Sequence, residues 1–205
     1  MTTISIIGSG SMATAIGTRA AKHGHAIELL SRNDAKARAL ADQIGNGATA
    51  GTFGATPAGD IVIVAVPYTD VVSAVAGYGD ALAGKILVDI SNTFNADASA
   101  LVTAPGSSAA QEIAAAAPDD AHVVKALNTI FGSVLSQDKS LDVFIAGDSA
   151  EAKARVAAFL ESLDLRPLDT GGLRMASVLE WTGVLVMGLA QNSTGFDVTL
   201  RAEVL

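Results

Sequence analysis

Six residues near the start of the chain, Gly8-Ser9-Gly10-Ser11-Met12-Ala13, have the types and spacing that hold a pyrophosphate. They follow a short apolar run, Ile4–Gly8, and open an alanine-rich stretch. This is the dinucleotide fingerprint with alanine in its third glycine position. Gly8 permits a tight turn, Gly10 lets backbone approach phosphate, and Ala13 keeps helix and strand close. The N–H groups around Ser11 and Met12 then face the phosphates at a helix start. An NAD site adds an acidic residue about 20 residues on, for the ribose hydroxyls. Glu28 lies at about that distance but sits inside "AIELLS", ahead of the strand's expected end. It reads as a solvated or helix-facing strand position. The end itself carries Ser31, Arg32 and Asn33, with Lys36 one turn later. A carboxylate there would repel a 2′-phosphate. Arg32 can pair with that phosphate and stack on adenine, Ser31 offers a hydroxyl, and Lys36 can point back at the same anion. The expected nucleotide is NADP(H).

The remaining chemistry is sparse. There is no cysteine, no G-x-S-x-G, and no histidine partner for Ser91. His23 and His25 flank Gly24 at a helix end, and His122 begins a strand; none has metal-ligand spacing, so no metal is expected. Asn92 and Asn128 follow strand-like runs and are the candidates for orienting a nicotinamide amide or an acceptor carbonyl. Asp89 reads as structural in its strand. Lys125 could balance charge on an anionic substrate.

The elements that must position these residues alternate. Strands are expected at "ISIIG", "AIELLS", "DIVIVAVP", "KILVDIS", "HVVKALN" and "DVFIAGD", with "RPLDTGG" as a last one. Helices are expected over Met12–Lys22, Asp34–Ile44 capped by Asp34, "TDVVSAVAGY", "SSAAQEIAAAA" and "SAEAKARVAAFLESLD" capped by Ser149 or Asp148, then Leu173–Gln191. "GNGATAGTFGATPAG" reads as irregular connections around a short strand. The alternation implies an α/β fold: a Rossmann-type, doubly wound, mostly parallel sheet with a small C-terminal helical extension. Residues 1–148 form the nucleotide-binding domain and residues 149–205 a C-terminal segment for substrate and dimerisation, packed as one unit. The tail "NSTGFDVTLRAEVL" is placed to cover the cofactor cleft.

Composition narrows the class. The 205 residues carry a formal net charge of -8, so nucleic acid is not an expected partner. Mean hydropathy is +0.42, yet "IVIVAVP" and "VLVMGLA" fall far short of the ~18 to 20 apolar residues that span a bilayer. The N-terminus lacks the basic start and apolar stretch of a signal peptide. A cytoplasmic protein acting on a small molecule is expected, with no membrane partner.

The chain resembles the NADP oxidoreductases dependent on coenzyme F420, a deazaflavin, and their dinucleotide-binding relatives. The resemblance rests on "SIIGSGSMATAIGTRAAKHGH", "LLSRNDAK", "DIVIVAVPYTDV", "VVKALNTIFG" and "LRPLDTGGL". The membrane ferric reductases of the Steap type carry a similar domain. The resemblance implies hydride transfer between NADP(H) and F420, in a homodimer formed through the apolar C-terminal helix. It implies that Ser9, Gly10, Ser11 and Met12 hold the pyrophosphate, and Ser31, Arg32 and Lys36 the 2′-phosphate. Val66, Pro67 and Tyr68 would lie along the nicotinamide half. Ser91 and Asn92 would stand at a ligand-binding strand end, and Ala126 and Asn128 would face the second ring. Asn128 stands where archaeal members have histidine, and "DISNTFN" where they have a proline-containing run. The alternatives are an NADPH-dependent reductase of a flavin, quinone, ferric chelate or imine, and an NADPH-sensing module without turnover.

Overall fold

The computed structural model describes residues 2–203 and 205. Eight strands form one sheet: β1 (Thr3–Ile7), β2 (Ala26–Leu30), β3 (Thr49–Ala50), β4 (Ile61–Val64), β5 (Ile86–Asp89), β6 (His122–Lys125), β7 (Leu141–Gly147) and β8 (Leu165–Asp169). Their order is β3-β2-β1-β4-β5-β6-β7-β8. All neighbours are parallel except β6 and β7. The chain winds outward from β1 to β3, then returns to lay β4 against the other side of β1. That reversal opens a crevice at the carboxyl ends of β1 and β4, where such sheets bind ligands.

Among the described residues, seven α-helices cover the two faces: α1 (Ser11–Lys22), α2 (Asp34–Ile44), α3 (Tyr68–Tyr78), α4 (Ala109–Ala116), α5 (Gly132–Leu135), α6 (Ala150–Ser162) and α7 (Ala176–Leu189). Strand residues alternate between two cores. Ile4, Ile6, Ile61 and Ile63 pack with α1, α2 and α6, whereas Ile7, Val62 and Val64 pack with α3 and α4. Continuous β-branched runs suit strands buried on both faces. Arg19 of α1 is buried and donates to the carbonyls of Leu163 (2.9 Å), Leu135 (3.0 Å) and Lys139 (2.9 Å). It thereby ties the β7–α6–β8 unit to the nucleotide-binding half, and both segments share one sheet.

Several expectations need correction. The cap of α2 is Asn33, whose side chain accepts from the Lys36 N–H, so Asp34 is the first helical residue. Glu28 is half-buried and engaged rather than free in solvent. Its carboxylate accepts from Ser5 Oγ (2.6 Å) and from the Ala58 N–H (2.9 Å), bracing the connection before β4. The tail, expected over the cofactor cleft, meets the rest of the chain at two described points. Phe196 packs edge-on against Phe131 at 5.4 Å, and the Ala202 N–H donates to Asp142 Oδ2 (2.7 Å) at the start of β7.

The helical run from Leu173 to Thr194 spans 22 residues and contains an 18-residue stretch with a mean hydropathy of 1.3, which by length and composition alone would suffice to cross a membrane. Reading the apolar runs separately missed this length. In the fold one face of that run is already occupied. Ala176, Leu179, Glu180, Gly183 and Val186 are buried, at helical spacing, against the rest of the chain.

Candidate functional site

The glycine loop is shaped by two close approaches. Gly8 has φ +133°, and a Cβ there would stand 2.1 Å from the Ala65 carbonyl oxygen, so the β1 and β4 backbones nearly touch. Gly10 caps α1 in extended conformation, and the direction of its missing Cβ is open space. No side chain caps α1, and its first turn holds no acidic residue. The free N–H groups of that turn and the helix dipole therefore face an open cleft suited to an anion.

On one side of the loop lies a cleft of about 370 Å³, walled by Gly8, Ser9, Gly10, Ser31, Arg32 and Lys36, with Val66, Pro67 and Asp70 opposite. The Ser31 hydroxyl sits 3.5 Å from that of Ser9 and accepts from the Asn33 N–H. Arg32 Nη2 is held 2.5 Å from Asp70 Oδ2 of α3. An incoming phosphate at Arg32 thus competes with a carboxylate, which sequence reasoning did not anticipate. Tyr68 turns away from this cleft. Its hydroxyl donates to Glu112 of α4 at 3.2 Å, and burial with that carboxylate raises its pKa.

On the other side a second pocket of about 250 Å³ lies between Met12, Asn92, Phe94, Asn128, Phe131 and Met187. Here the structure brings together the two asparagines from different strand ends. Asn128 Nδ2 donates to Asn92 Oδ1 (2.9 Å) and to the Leu179 carbonyl of α7 (2.8 Å), while Asn92 Nδ2 donates to the Asn128 main-chain oxygen (2.8 Å). All three acceptors are oxygens, so both amide orientations are determined. Asn128 has no N–H to spare and cannot donate to an acceptor carbonyl. Its buried Oδ1 has no partner, and a buried polar atom left so is costly unless a ligand supplies one. The preceding Leu127 has φ +61°, a strained setting for a branched side chain that aims the turn into the pocket. Ala126 is fully buried beneath, outside the pocket wall.

Behind the asparagines lies an ionic cluster. Lys125 is fully buried, and its Nζ meets Asp89 Oδ2 (2.7 Å), Glu180 Oε1 (2.8 Å) and the Ser91 carbonyl (2.5 Å). It cannot reach a substrate, which corrects its expected role. Ser91 is also turned inward, donating to Asp89 Oδ1 at 2.7 Å. Glu180 accepts further from Thr93 Oγ1 (2.8 Å) and the Ala109 N–H (3.0 Å). Burial pushes the Glu180 carboxyl above its usual range, and Lys125 opposes the shift. Glu180 was missed, although it is the sole acid in the apolar run Leu173–Gln191. A lone charge inside an apolar helix is rarely buried without a partner, and that was the available signal.

Comparison with known proteins now bears on this arrangement. The family described as "NADP oxidoreductase coenzyme F420-dependent" matches residues 3–93, from β1 to the residue after Asn92. Over that segment the chain is similar to the coenzyme F420-dependent NADP oxidoreductases. The nucleotide expected from Ser31, Arg32 and Lys36 is the one in that family's description. The F420-dependent NADP reductase of Methanocaldococcus jannaschii is 26% identical over 152 residues, covering 69% of this chain and 68% of that protein. Metalloreductase STEAP3 of Rattus norvegicus is 31% identical over 180 residues, covering 86% of this chain. The chain spans only 35% of that relative's length. A structure from Arthrobacter sp. FB24, provisionally assigned as an F420-dependent NADP reductase, superposes with TM-score 0.81 at 27% identity, covering 93% and 94% of the two chains. The Rossmann-type sheet with its C-terminal helix is thus shared with that structure over nearly the whole of both chains.

The packing of α7 on the asparagine pair is testable. A Cβ at Gly183 would stand 2.7 Å from Asn92 Oδ1, whereas one at Gly188 meets nothing within 4 Å. Gly188→Ala is expected to gain up to about 1 kcal/mol of unfolding free energy from helix propensity. Gly183→Ala is expected to lose about 1–3 kcal/mol through overpacking, against that same gain. Urea unfolding measures both, and equal stability of the two variants would contradict the contact.

Proposed function

We propose that the protein is an NADPH-dependent reductase that passes hydride to a deazaflavin-type ring in the pocket beside Asn92 and Asn128. The observation that carries the reading is the unpartnered Asn128 Oδ1, across the glycine loop from a cleft bearing Arg32 and Lys36. The two ends match the two ends of one dinucleotide. At the first, Ser31, Arg32 and Lys36 hold the 2′-phosphate, with Arg32 exchanging Asp70 for the phosphate. Gly8, Ser9, Gly10, Ser11 and Met12 hold the pyrophosphate through main-chain N–H groups. Val66 and Pro67 flank the path toward the second pocket. There Asn128 Oδ1 would accept an N–H from the nicotinamide carboxamide, and Asn92 would offer its remaining N–H to a carbonyl.

NADPH, when bound, supplies a hydride, and the acceptor takes one proton from water to complete a two-electron reduction. Such a transfer depends on placement more than on a general acid or base. The described pocket wall suits that demand, since its polar side chains are a serine, two asparagines and a threonine. Residues 149–205 contribute the α7 wall. The same helix exposes Val178, Trp181 and Leu185 at helical spacing, an apolar stripe that fits a second copy in a homodimer.

Mixing the protein with NADPH and oxidised F420 should lower the deazaflavin absorbance at a rate well above the enzyme-free control. A rate equal to the control would sink the F420 assignment. The clamp is tested separately. Arg32→Asp should weaken NADPH binding by more than tenfold, since losing one charge-assisted contact costs about 1.5–3 kcal/mol, and should leave NADH binding nearly unchanged. Equal losses for the two nucleotides would refute the 2′-phosphate site.

A further inference from the structure

The first turn of α3 puts an acid into the wall of a cleft otherwise suited to phosphate. Pro67 precedes that helix with φ -56° and supplies no side-chain cap, so the helix start favours a nearby carboxylate. Asp70 is the acidic residue of the turn. Its N–H donates to the Pro67 carbonyl (2.9 Å) and its own carbonyl accepts from Ser73 Oγ (3.0 Å), which fixes its backbone. From there the side chain reaches across the cleft to Arg32 Nη2 at 2.5 Å. The helix dipole accounts for an acid at this position. It does not account for that acid taking the cation at the end of β2.

The ionisable side chains among the described residues of the cleft wall are Arg32, Lys36 and Asp70. Two cations and one carboxylate leave a single positive charge in excess. A phosphate monoester brings about −1.5 to −2. It gains both cations only by taking Arg32 from Asp70, and it then sits close to the displaced carboxylate. Both effects oppose its binding. Neither acts on a nucleotide with a bare 2′-hydroxyl, which leaves Arg32 and Asp70 together. The exchange is accessible, because the two side chains are 62% and 34% exposed and water stabilises each when the pair opens. The start of α3 still favours the freed carboxylate.

We propose that Asp70 is a built-in competitor for the 2′-phosphate, which moderates affinity for NADP(H) by holding Arg32 and speeds release of the spent nucleotide by taking Arg32 back. The inference rests on reading Ser31, Arg32 and Lys36 as the 2′-phosphate clamp. A moderated grip suits a hydride carrier that must leave after each turnover, since release limits kcat in many enzymes.

The test measures Kd for NADPH, NADP+ and NADH by calorimetry on the wild-type protein, Asp70→Asn and Asp70→Ala. Both variants should bind NADPH and NADP+ about three- to tenfold tighter, as loss of an exposed competitor and its repulsion implies, with NADH affinity unchanged. Stopped-flow displacement should show NADP+ leaving more slowly by a similar factor. In an Arg32→Ala background the gain from Asp70→Asn should shrink to less than about twofold, because the two residues act through each other. Adenosine 2′,5′-bisphosphate should show the same gain as NADPH, and AMP none. In a crystal structure of the wild-type protein with that bisphosphate, Arg32 should lie on the 2′-phosphate and Asp70 should have left it. If Asp70 instead orients Arg32 for the phosphate, the variants bind NADPH more weakly and the crystal keeps the pair; either result overturns the proposal, as does unchanged affinity or an equal gain for NADH. A wild-type protein that holds NADPH no tighter than NADH overturns the clamp itself, and this inference with it.

Discussion

The site depends on one buried cation. Lys125 and Asp89 face each other in register on neighbouring strands, and their side chains meet with no access to water. Three residues beyond the end of each strand, Asn128 and Asn92 pair through their side chains. Helix α7 closes both rungs, giving Glu180 to the first and the Leu179 carbonyl to the second. Removing one partner from a buried ion pair typically costs about 3–5 kcal/mol, because the other charge is stranded. With two carboxylates for one cation, the cluster also draws in the Thr93 hydroxyl and the Ala109 N–H. The asparagines are therefore held by a network that tolerates few other arrangements.

The nucleotide loop obeys a different constraint. Its geometry follows from the near contact of β1 and β4, which leaves no room for a side chain at Gly8. The uncapped start of α1 then stands between a cationic cleft and an uncharged pocket. A dinucleotide crossing that start would leave its phosphates on one side and its reactive ring on the other. Strand order supplies the crevice, and the ionic cluster supports the asparagine pair of the second pocket.

The legible parts of this account were local in sequence. Strand, glycine turn and helix are contiguous from Thr3 to Lys22, and Ser31, Arg32 and Lys36 reach one cleft because they share a strand end and the helix turn after it. Asn92 and Asn128 were legible as strand-end residues, though not as a bonded pair. What escaped was long-range. Lys125 looks like a substrate-facing charge until Glu180, from a helix much later in the chain, appears beside it. Asp70 opposes Arg32 only once α3 is packed. Tyr68 follows Pro67, yet the start of α3 swings its ring toward Glu112. Asn33 and Asp34 are adjacent and both able to cap, and only the backbone at Asn33 decides between them. Glu28 is settled by Ser5, its neighbour across the sheet.

On the function proposed, the ion-pinned asparagines receive the nicotinamide amide. A crystal structure of the NADP+ complex tests it most directly. The account predicts the carboxamide nitrogen within hydrogen-bond range of Asn128 Oδ1, roughly 2.7–3.2 Å, with the Asn92–Asn128 pair and the Lys125 cluster intact. A nicotinamide ring seated outside this pocket, or an Asn128 Oδ1 still without a donor, would contradict it.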